Sequence, residues 1–241
     1  MFETIVNAFK TKEIRVKIWL TLLMLLVYRI GCYIPIPGLN ASTLETLIGG
    51  TGDFLGILSM MSGGSLSSAT LFSLGILPFI NAFIIMQLLT LVIPPLERMS
   101  KEGEEGRKKI TQITRYVAIA LAVVQAIGIV VGWRGAINSV FAFEAGWKAP
   151  YFTMAGIIII LVSGSTMCMW LGERITEYGI GNGTSLIIFV GILSTAGTTM
   201  AHAFKMVGEE WTYIWNILGF ILIVVGIFMF IVFVDLSERR I

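Results

Sequence analysis

The sequence predicts an all-α integral membrane protein with six transmembrane helices and one short re-entrant half-helix. Of its 241 residues, 56% are hydrophobic and only 13% are charged, and the mean hydropathy is +0.87. A soluble domain of this length carries about twice that share of charge. The apolar residues fall into runs close to the roughly 20 residues that a helix needs to cross a bilayer.

Six apolar runs are candidates to cross the membrane, and a polar or proline-containing stretch separates each from the next. Proline has no N–H with which to continue a helix, so Pro35-Ile-Pro37-Gly38 is expected to end the first run and Pro94-Pro95 the second. The six runs cover residues 18–36, 70–93, 116–132, 151–171, 185–200 and 214–234.

The distribution of basic residues predicts the orientation. With six spans the loops alternate between two sides, and 13 of the 17 Lys and Arg residues fall on the side of the N-terminus. Cytoplasmic loops carry the excess of Lys and Arg, so we expect both ends of the sequence to be cytoplasmic. Residues 1–17 are amphipathic with mixed charges, and no small-residue cleavage site follows, so we do not expect a cleavable signal peptide.

The second apolar run contains four residues that are unusual in a lipid-facing helix: Gly75, Pro78, Asn81 and Gln87. Pro78 would clash with the carbonyl of Leu74, so a kink or a break is expected there. Freed backbone groups must be covered by protein or by a water-filled cavity. This run is therefore predicted to face something other than lipid.

Spacing leaves the role of that run open. Ile76, Ile80 and Gln87 share one helical face. Such a face suits contact with a pore, and it suits equally well ordinary helix packing in which Asn81 and Gln87 form interhelical hydrogen bonds.

A short apolar segment precedes that run. Phe54–Met61 is too short to span and is typical of a re-entrant or interfacial half-helix. The small residues from Gly63 to Ser68 predict a flexible hinge after it. The alternative is an ordinary extracytoplasmic loop that happens to contain an apolar patch.

Few features point to chemistry. Cys32 and Cys168 lie in apolar runs without metal-binding spacing, as small packing residues do. The Gly179–Gly183 turn does not fit a nucleotide-binding loop, and its three glycines predict a tight reversal with positive φ. An intramembrane hydrolase would need Ser165 beside His202, the only histidine, although Ser165 has the small neighbours typical of helix packing. A secondary transporter remains open, because substrates can bind at broken helices without intramembrane carboxylates.

Two long segments resemble those of a known protein family, which residue spacing alone does not identify. Residues 75–82 with Gln87-Leu-Leu89, and residues 169–183, resemble the signature segments of SecY, the protein-conducting channel of the bacterial Sec translocon. Residues 29–38, 60–67 and 101–109 add to the resemblance. The resemblance extends over essentially the whole sequence.

The resemblance implies a domain organisation. SecY proteins have ten spans in two inverted halves of five. Residues 1–17 would be a cytoplasmic segment, 18–200 the first half with a plug at 53–68, 201–213 an extracytoplasmic loop, and 214–241 the sixth span and the start of the second half. The sequence would then be a fragment whose second half is absent or belongs to a companion chain.

The resemblance also implies roles for individual residues. Ile76, Ile80 and Ile188 would belong to the aliphatic ring that closes the pore. Thr184 falls on a further ring position and departs from the aliphatic pattern. Gln87 would lie at the lateral gate through which apolar segments enter the lipid. Expected plug residues are Asp53, Phe54, Leu55, Ile57, Leu58, Met60, Met61, Gly63 and Gly64, and expected cytoplasmic contact residues are Arg98, Lys101, Arg107, Lys108, Lys109 and Arg174.

The function that follows from the resemblance is passage of unfolded secretory proteins across the bacterial plasma membrane and lateral release of membrane-protein segments. We expect no enzymatic activity and no cofactor. The expected partners are the SecE and SecG membrane subunits, the SecA motor or the ribosome on the cytoplasmic side, nascent chains and the lipid bilayer. The alternatives are an inverted-repeat secondary transporter and, third, an intramembrane hydrolase.

Overall fold

The computed structural model describes residues 11–37, 39, 54–132, 150–209 and 213–235. Within these ranges the chain is helical, apart from turns and one isolated antiparallel bridge between Pro35 and Thr70. The helices are α1 (Lys12–Gly31), α2 (Phe54–Met61), α3 (Leu77–Val92), α4 (Pro94–Lys101), α5 (Glu104–Gly132), α6 (Pro150–Tyr178), α7 (Gly183–Glu209) and α8 (Tyr213–Asp235).

Several of these helices can span a membrane. The parts of α5, α6 and α7 at 104–131, 154–178 and 183–201 are long and apolar enough, and α3 with α4 makes a fourth span if this bent pair is counted as one. Helix α1 begins before the first predicted run and ends within it at Gly31, and the shorter apolar segment Leu218–Val234 of α8 lies in the sixth run. The all-helical membrane fold is confirmed, and the total of six spans stays a prediction.

The second predicted span is broken rather than kinked. Residues 71–76 form turns, and α3 begins at Leu77 with Pro78 in its first turn, where the missing N–H of proline costs no hydrogen bond. Gly75 has φ +56°, a conformation that glycine adopts without strain. The other end is as expected: α3 ends at Val92, and Pro94 starts α4 at an angle of 100°.

Two predicted loops are largely helical. The charged stretch 97–109 contains the end of α4 and the start of α5, and only Glu102 and Gly103 separate the two helices. They cross at Gly106, where a Cβ would collide with the carbonyl oxygen of Met99. At the expected loop 201–213, α7 continues to Glu209. The apolar runs predicted α5 and α7 to be too short, because polar turns extend each helix beyond its apolar part.

The chain divides into two compact units at Leu193 and Ser194. The second unit contains the end of α7 and the whole of α8. In the first unit, one core cluster joins α1, the 71–76 turns, α6 and α7, with Tyr28 stacked on Phe72 at a centroid distance of 5.6 Å. The ring of Phe72 fits only because Gly31 has no Cβ. This cluster fixes the broken segment, and hence the start of α3, against three helices.

Candidate functional site

The three isoleucines of the predicted ring meet around one small cavity. Ile76 is the last residue before α3 and is 4% exposed, and Ile80 follows one turn later. Ile188 approaches from the first turns of α7, more than a hundred residues away in sequence. The cavity has a volume of about 10 Å³, and its lining residues are Tyr28, Met61, Ser62, Gly75, Ile76, Leu77, Ile80, Ile187 and Ile188.

A wide cavity lies on the other side of two of these isoleucines. Its volume is about 560 Å³, and Ile80 and Ile188 line it as well as the small cavity, so these two side chains stand between the two spaces. The wide cavity has an apolar part that includes Phe79 and Phe83 and a polar part that includes Arg115 and Glu173. We call the wide cavity the vestibule, and we call the aliphatic surface that Ile76, Ile80 and Ile188 form around the small cavity the constriction.

Thr184 lies in the vestibule and not at the constriction. It lines the wide cavity beside Asn182 and Ser185 and is absent from the lining of the small cavity. Helix α7 places it one turn before Ile188, towards the polar end of the vestibule. Its hydroxyl still lies near the aliphatic surface, because the position of a Gly172 Cβ is 3.6 Å from this hydroxyl and 3.1 Å from Ile76 Cδ1.

The half-helix predicted before the break is present as α2, and its end closes the small cavity. Met61 and Ser62 line that cavity opposite the isoleucines. The side chains of Ile57 and Met60 are exposed, and Leu58 is half-buried. Asp53 and the side chains of Phe54 and Leu55, which were also predicted plug residues, lie outside the described part.

The segment after α2 is tied down by hydroxyl groups. The backbone N–H of Gly64 donates to the carbonyl of Ser59 (2.8 Å), and the Ser67 hydroxyl donates to the carbonyl of Gly64 (2.9 Å). The hydroxyls of Ser59 and Ser67 are 3.2 Å apart. Gly63 and Gly64 have φ of +71° and +81°. The glycines thus permit a reversal of the chain that the serines hold in one conformation; motion at the predicted hinge stays a prediction.

The turn between α6 and α7 borders the vestibule and is held by side chains from both directions. The Thr21 hydroxyl of α1 accepts from the N–H of Ile180 (3.2 Å), and Thr176 accepts from the N–H of Gly183 (2.9 Å). Asn182 Oδ1 caps α7 by accepting from the N–H of Thr184 (3.0 Å).

Only one glycine of that turn has the predicted positive φ. Gly181 has φ +72°, whereas Gly179 and Gly183 are needed for close approach. A Cβ on Gly179 would lie 2.5 Å from the Thr21 hydroxyl, and one on Gly183 would collide with the carbonyl of Gly172. The prediction of a positive-φ reversal is thus correct for one glycine, and the other two reflect packing that spacing could not indicate.

Two ion pairs lie at the polar end of α6. Arg115 of α5 donates to Glu173 (2.7 Å) and joins two walls of the vestibule. Arg174 pairs with Glu177 (2.8 Å) and lies over the rings of Trp170 and Tyr178. Arg174, a predicted cytoplasmic contact residue, is therefore held along its own helix.

The remaining predicted site residues are exposed and lie away from the constriction. Gln87 of α3 is exposed and is not among the described lining residues of either cavity. The exposed basic residues on the α4–α5 hairpin are Arg98, Lys101, Arg107, Lys108 and Lys109. Among them Lys101 donates to Glu97 one turn away (2.5 Å), which holds the pKa of the Glu97 carboxyl below its ordinary value.

The described residues test the hydrolase alternative at its serine alone. Ser165 is 4% exposed within the helix packing, and the side chain of His202 lies outside the described residues. Gly164, next to Ser165, packs against the backbone of Leu71, as the small-residue interpretation predicted. Among the described residues no cluster of three or more His, Cys, Asp or Glu could hold a metal ion.

Sequence reasoning did not single out Tyr28 and Ile187, which line the small cavity. Ser62, which also lines it, fell within the predicted plug at 53–68 without a role of its own. A tyrosine within an apolar run was the one available signal. Ile187 gave no such signal, because Ile188 beside it has the same side chain. Only the packing of α7 decides the direction in which each of the two points.

Comparison with known proteins identifies the family. The SecY family profile matches residues 70–241. Protein translocase subunit SecY of Staphylococcus carnosus is 39% identical over 246 residues, covering all of this chain and 56% of that protein, and the Escherichia coli K12 subunit is 43% identical over 225 residues, covering 90% and 48%.

Two solved structures share the fold. A protein-conducting channel structure, 25% identical, has a TM-score of 0.53 over 77% of this chain and 38% of that one. Sec61 in a canine ribosome–channel complex from the endoplasmic reticulum, 22% identical, has a TM-score of 0.63 over 96% and 50%. The chain spans about half the length of the curated relatives it matches. From the profile match together with the helical membrane fold, we conclude that this chain belongs to the SecY family.

Proposed function

We propose that this chain forms part of the wall of a protein-conducting channel that passes unfolded secretory proteins and releases apolar segments sideways into the membrane. The observation that carries the proposal is the constriction: Ile76, Ile80 and Ile188 surround a cavity with room for little more than a water molecule. An apolar constriction excludes water and ions by dewetting. Flexible aliphatic side chains can still move aside for a polypeptide.

The neighbouring features suit the same role. Helix α2 and the Gly63-Gly64 reversal act as the plug that closes the constriction from the side opposite the vestibule. Gln87 lies at the lateral gate, where an exposed amide on an otherwise apolar helix would meet an opposing helix rather than lipid. The polar end of the vestibule, with the Arg115–Glu173 pair, receives the incoming chain.

The proposal includes location and partners. The chain resides in the bacterial plasma membrane with its N-terminus in the cytoplasm, as the excess of basic residues on that side favours. The exposed basic residues of the α4–α5 hairpin then face SecA or a ribosome, and SecE and SecG contact the membrane helices. The channel is not an enzyme: its residues seal and guide, and the partner supplies the energy.

Crosslinking to a stalled secretory chain tests the constriction. In the source organism, the gene would be edited to place a cysteine at Ile76 or Ile188, and a secretory protein carrying one cysteine would be stalled during export. We expect a disulfide between the two on mild oxidation. The native Cys32 and Cys168 are buried and should stay silent.

A matched control places the cysteine at Val124, which is 65% exposed on α5. It should not crosslink. If neither constriction position reacts while a known contact of the same substrate does, the channel assignment is wrong.

A further inference from the structure

We propose that Gly191 of α7 is the seat of the plug, and that its lack of a side chain sets how firmly the resting channel is closed. This inference rests on the proposed function and assigns a role to a residue on the surface that faces α2. A Cβ on Gly191 would lie 2.9 Å from the carbonyl oxygen of Met61 and 3.4 Å from the nitrogen of Gly63. The first distance is shorter than real Cβ contacts allow.

The contact is reciprocal. A Cβ on Gly63 would lie 3.1 Å from the Cα of Gly191 and 3.2 Å from its carbonyl oxygen. Gly63 also has φ +71°, which a residue with a side chain adopts only under strain. Two backbones therefore touch here with no side chain between them, and both glycines are required for the approach.

The atoms that a side chain on Gly191 would strike are backbone atoms, so they cannot rotate away. The struck segment cannot yield locally either, because hydrogen bonds among Ser59, Gly64 and Ser67 hold it in one conformation. The Arg29 guanidinium also lies 3.1 Å from the position of a Gly63 Cβ. A displacement would have to move the end of the plug as a body.

The consequence for the seal follows from where this contact lies. Met61 and Ser62 close the small cavity against Ile187 and Ile188, and Gly191 is one helical turn further along α7. Gly191 therefore lies on the same helix as Ile188 of the constriction, in the next turn. A methyl group on Gly191 should separate the plug from the isoleucines and let water into the gap.

The test compares Gly191→Ala with Gly197→Ala. Both changes replace glycine by alanine in α7 and raise helix propensity equally, but a Cβ on Gly197 has nothing within 4 Å. We expect Gly191→Ala channels, edited in the source organism and measured in its membrane vesicles, to leak ions several-fold more in the resting state while still exporting secretory protein. Gly197→Ala should behave like the unmodified channel.

A second readout does not depend on export. Ser62 is 3% exposed, so a cysteine at this position should react slowly with a water-soluble maleimide. Gly191→Ala should speed this labelling several-fold, and Gly197→Ala should not. Should Gly191→Ala fail to accumulate, Gly63→Ala approaches the same contact from the plug and leaves α7 unchanged, and it should show the same faster labelling.

Equal ion leak and equal maleimide labelling in the Gly191 and Gly197 variants would overturn the assignment of Gly191 as the seat of the plug. That outcome is distinct from failure of the proposed function, in which the unmodified protein never contacts an exported chain.

Discussion

The hydroxyl of Thr21 accepts a hydrogen bond from the backbone N–H of Ile180, 3.2 Å away and 159 residues later in the sequence. The same hydroxyl donates to the carbonyl of Lys17 (2.9 Å). Thr21 as a whole is 8% exposed. One side chain of α1 thereby holds the turn that leads into α7, the helix that carries Ile188 and Gly191.

We predict that Thr21→Val destabilises the protein. Valine keeps the shape of threonine but removes the acceptor of the Ile180 N–H; because Ile180 is 43% exposed, water can reach this group, and we expect a loss of about 0.5–1.5 kcal/mol, the net value of an ordinary hydrogen bond. Unfolding in mixed micelles by a denaturing detergent would measure the difference. Thr199→Val is the control: its exposed hydroxyl donates to the carbonyl of Thr195 in its own helix, so little change is expected. Equal losses in the two variants would contradict the prediction.

Gly164→Ala should destabilise the fold although alanine favours a helix. A Cβ at this position would collide with the carbonyl oxygen of Leu71, a backbone atom of the broken segment. Gly156→Ala on the same helix has nothing within 4 Å and should gain up to about 1 kcal/mol. The two variants should therefore move the unfolding midpoint in opposite directions, and a shared upward shift would show that α6 does not touch that segment.

The electrostatics of α4 are expected to depend on pH through Glu97. Because Lys101 holds the pKa of Glu97 below its ordinary value of 4.5, the pair contributes stability above that pH and loses it as the pH falls through the lowered pKa. Lys101→Met should raise the pKa of Glu97. Carbon-13 NMR of labelled glutamate would report it, with Lys108→Met as the control, which should leave the Glu97 titration nearly unchanged.

Polarity at the constriction should matter more than polarity in the vestibule. Ile80→Asn places an amide between the two cavities and should raise the resting ion leak several-fold, because hydration of the amide opposes dewetting. Thr184→Ile should leave the leak unchanged, since Thr184 lines only the wide cavity. Conductance in planar bilayers would measure both. A tighter channel in Thr184→Ile would show that Thr184 belongs to the seal.

Much of the local structure could be read from the residues. Pro94 after an apolar run predicts the end of α3, and the short apolar run at Phe54–Met61 predicts a helix too short to span. The break at Pro78 was also expected, but its form was not. Whether proline kinks a helix or starts one depends on what covers the preceding residues, and here Tyr28 and Phe72 stack to hold them in turns.

The sequence by itself determined the class of protein: apolar runs of spanning length, separated by charged stretches, have no stable arrangement in water. Through the resemblance it also predicted which residues would form the pore ring and the plug. Only the tertiary structure decided that Ile76 and Ile188 meet, that Thr184 stays in the vestibule, and that Gly164 and Gly191 touch backbone. These contacts join residues far apart in the chain, and the absence of a side chain carries no local signal of what fills the space.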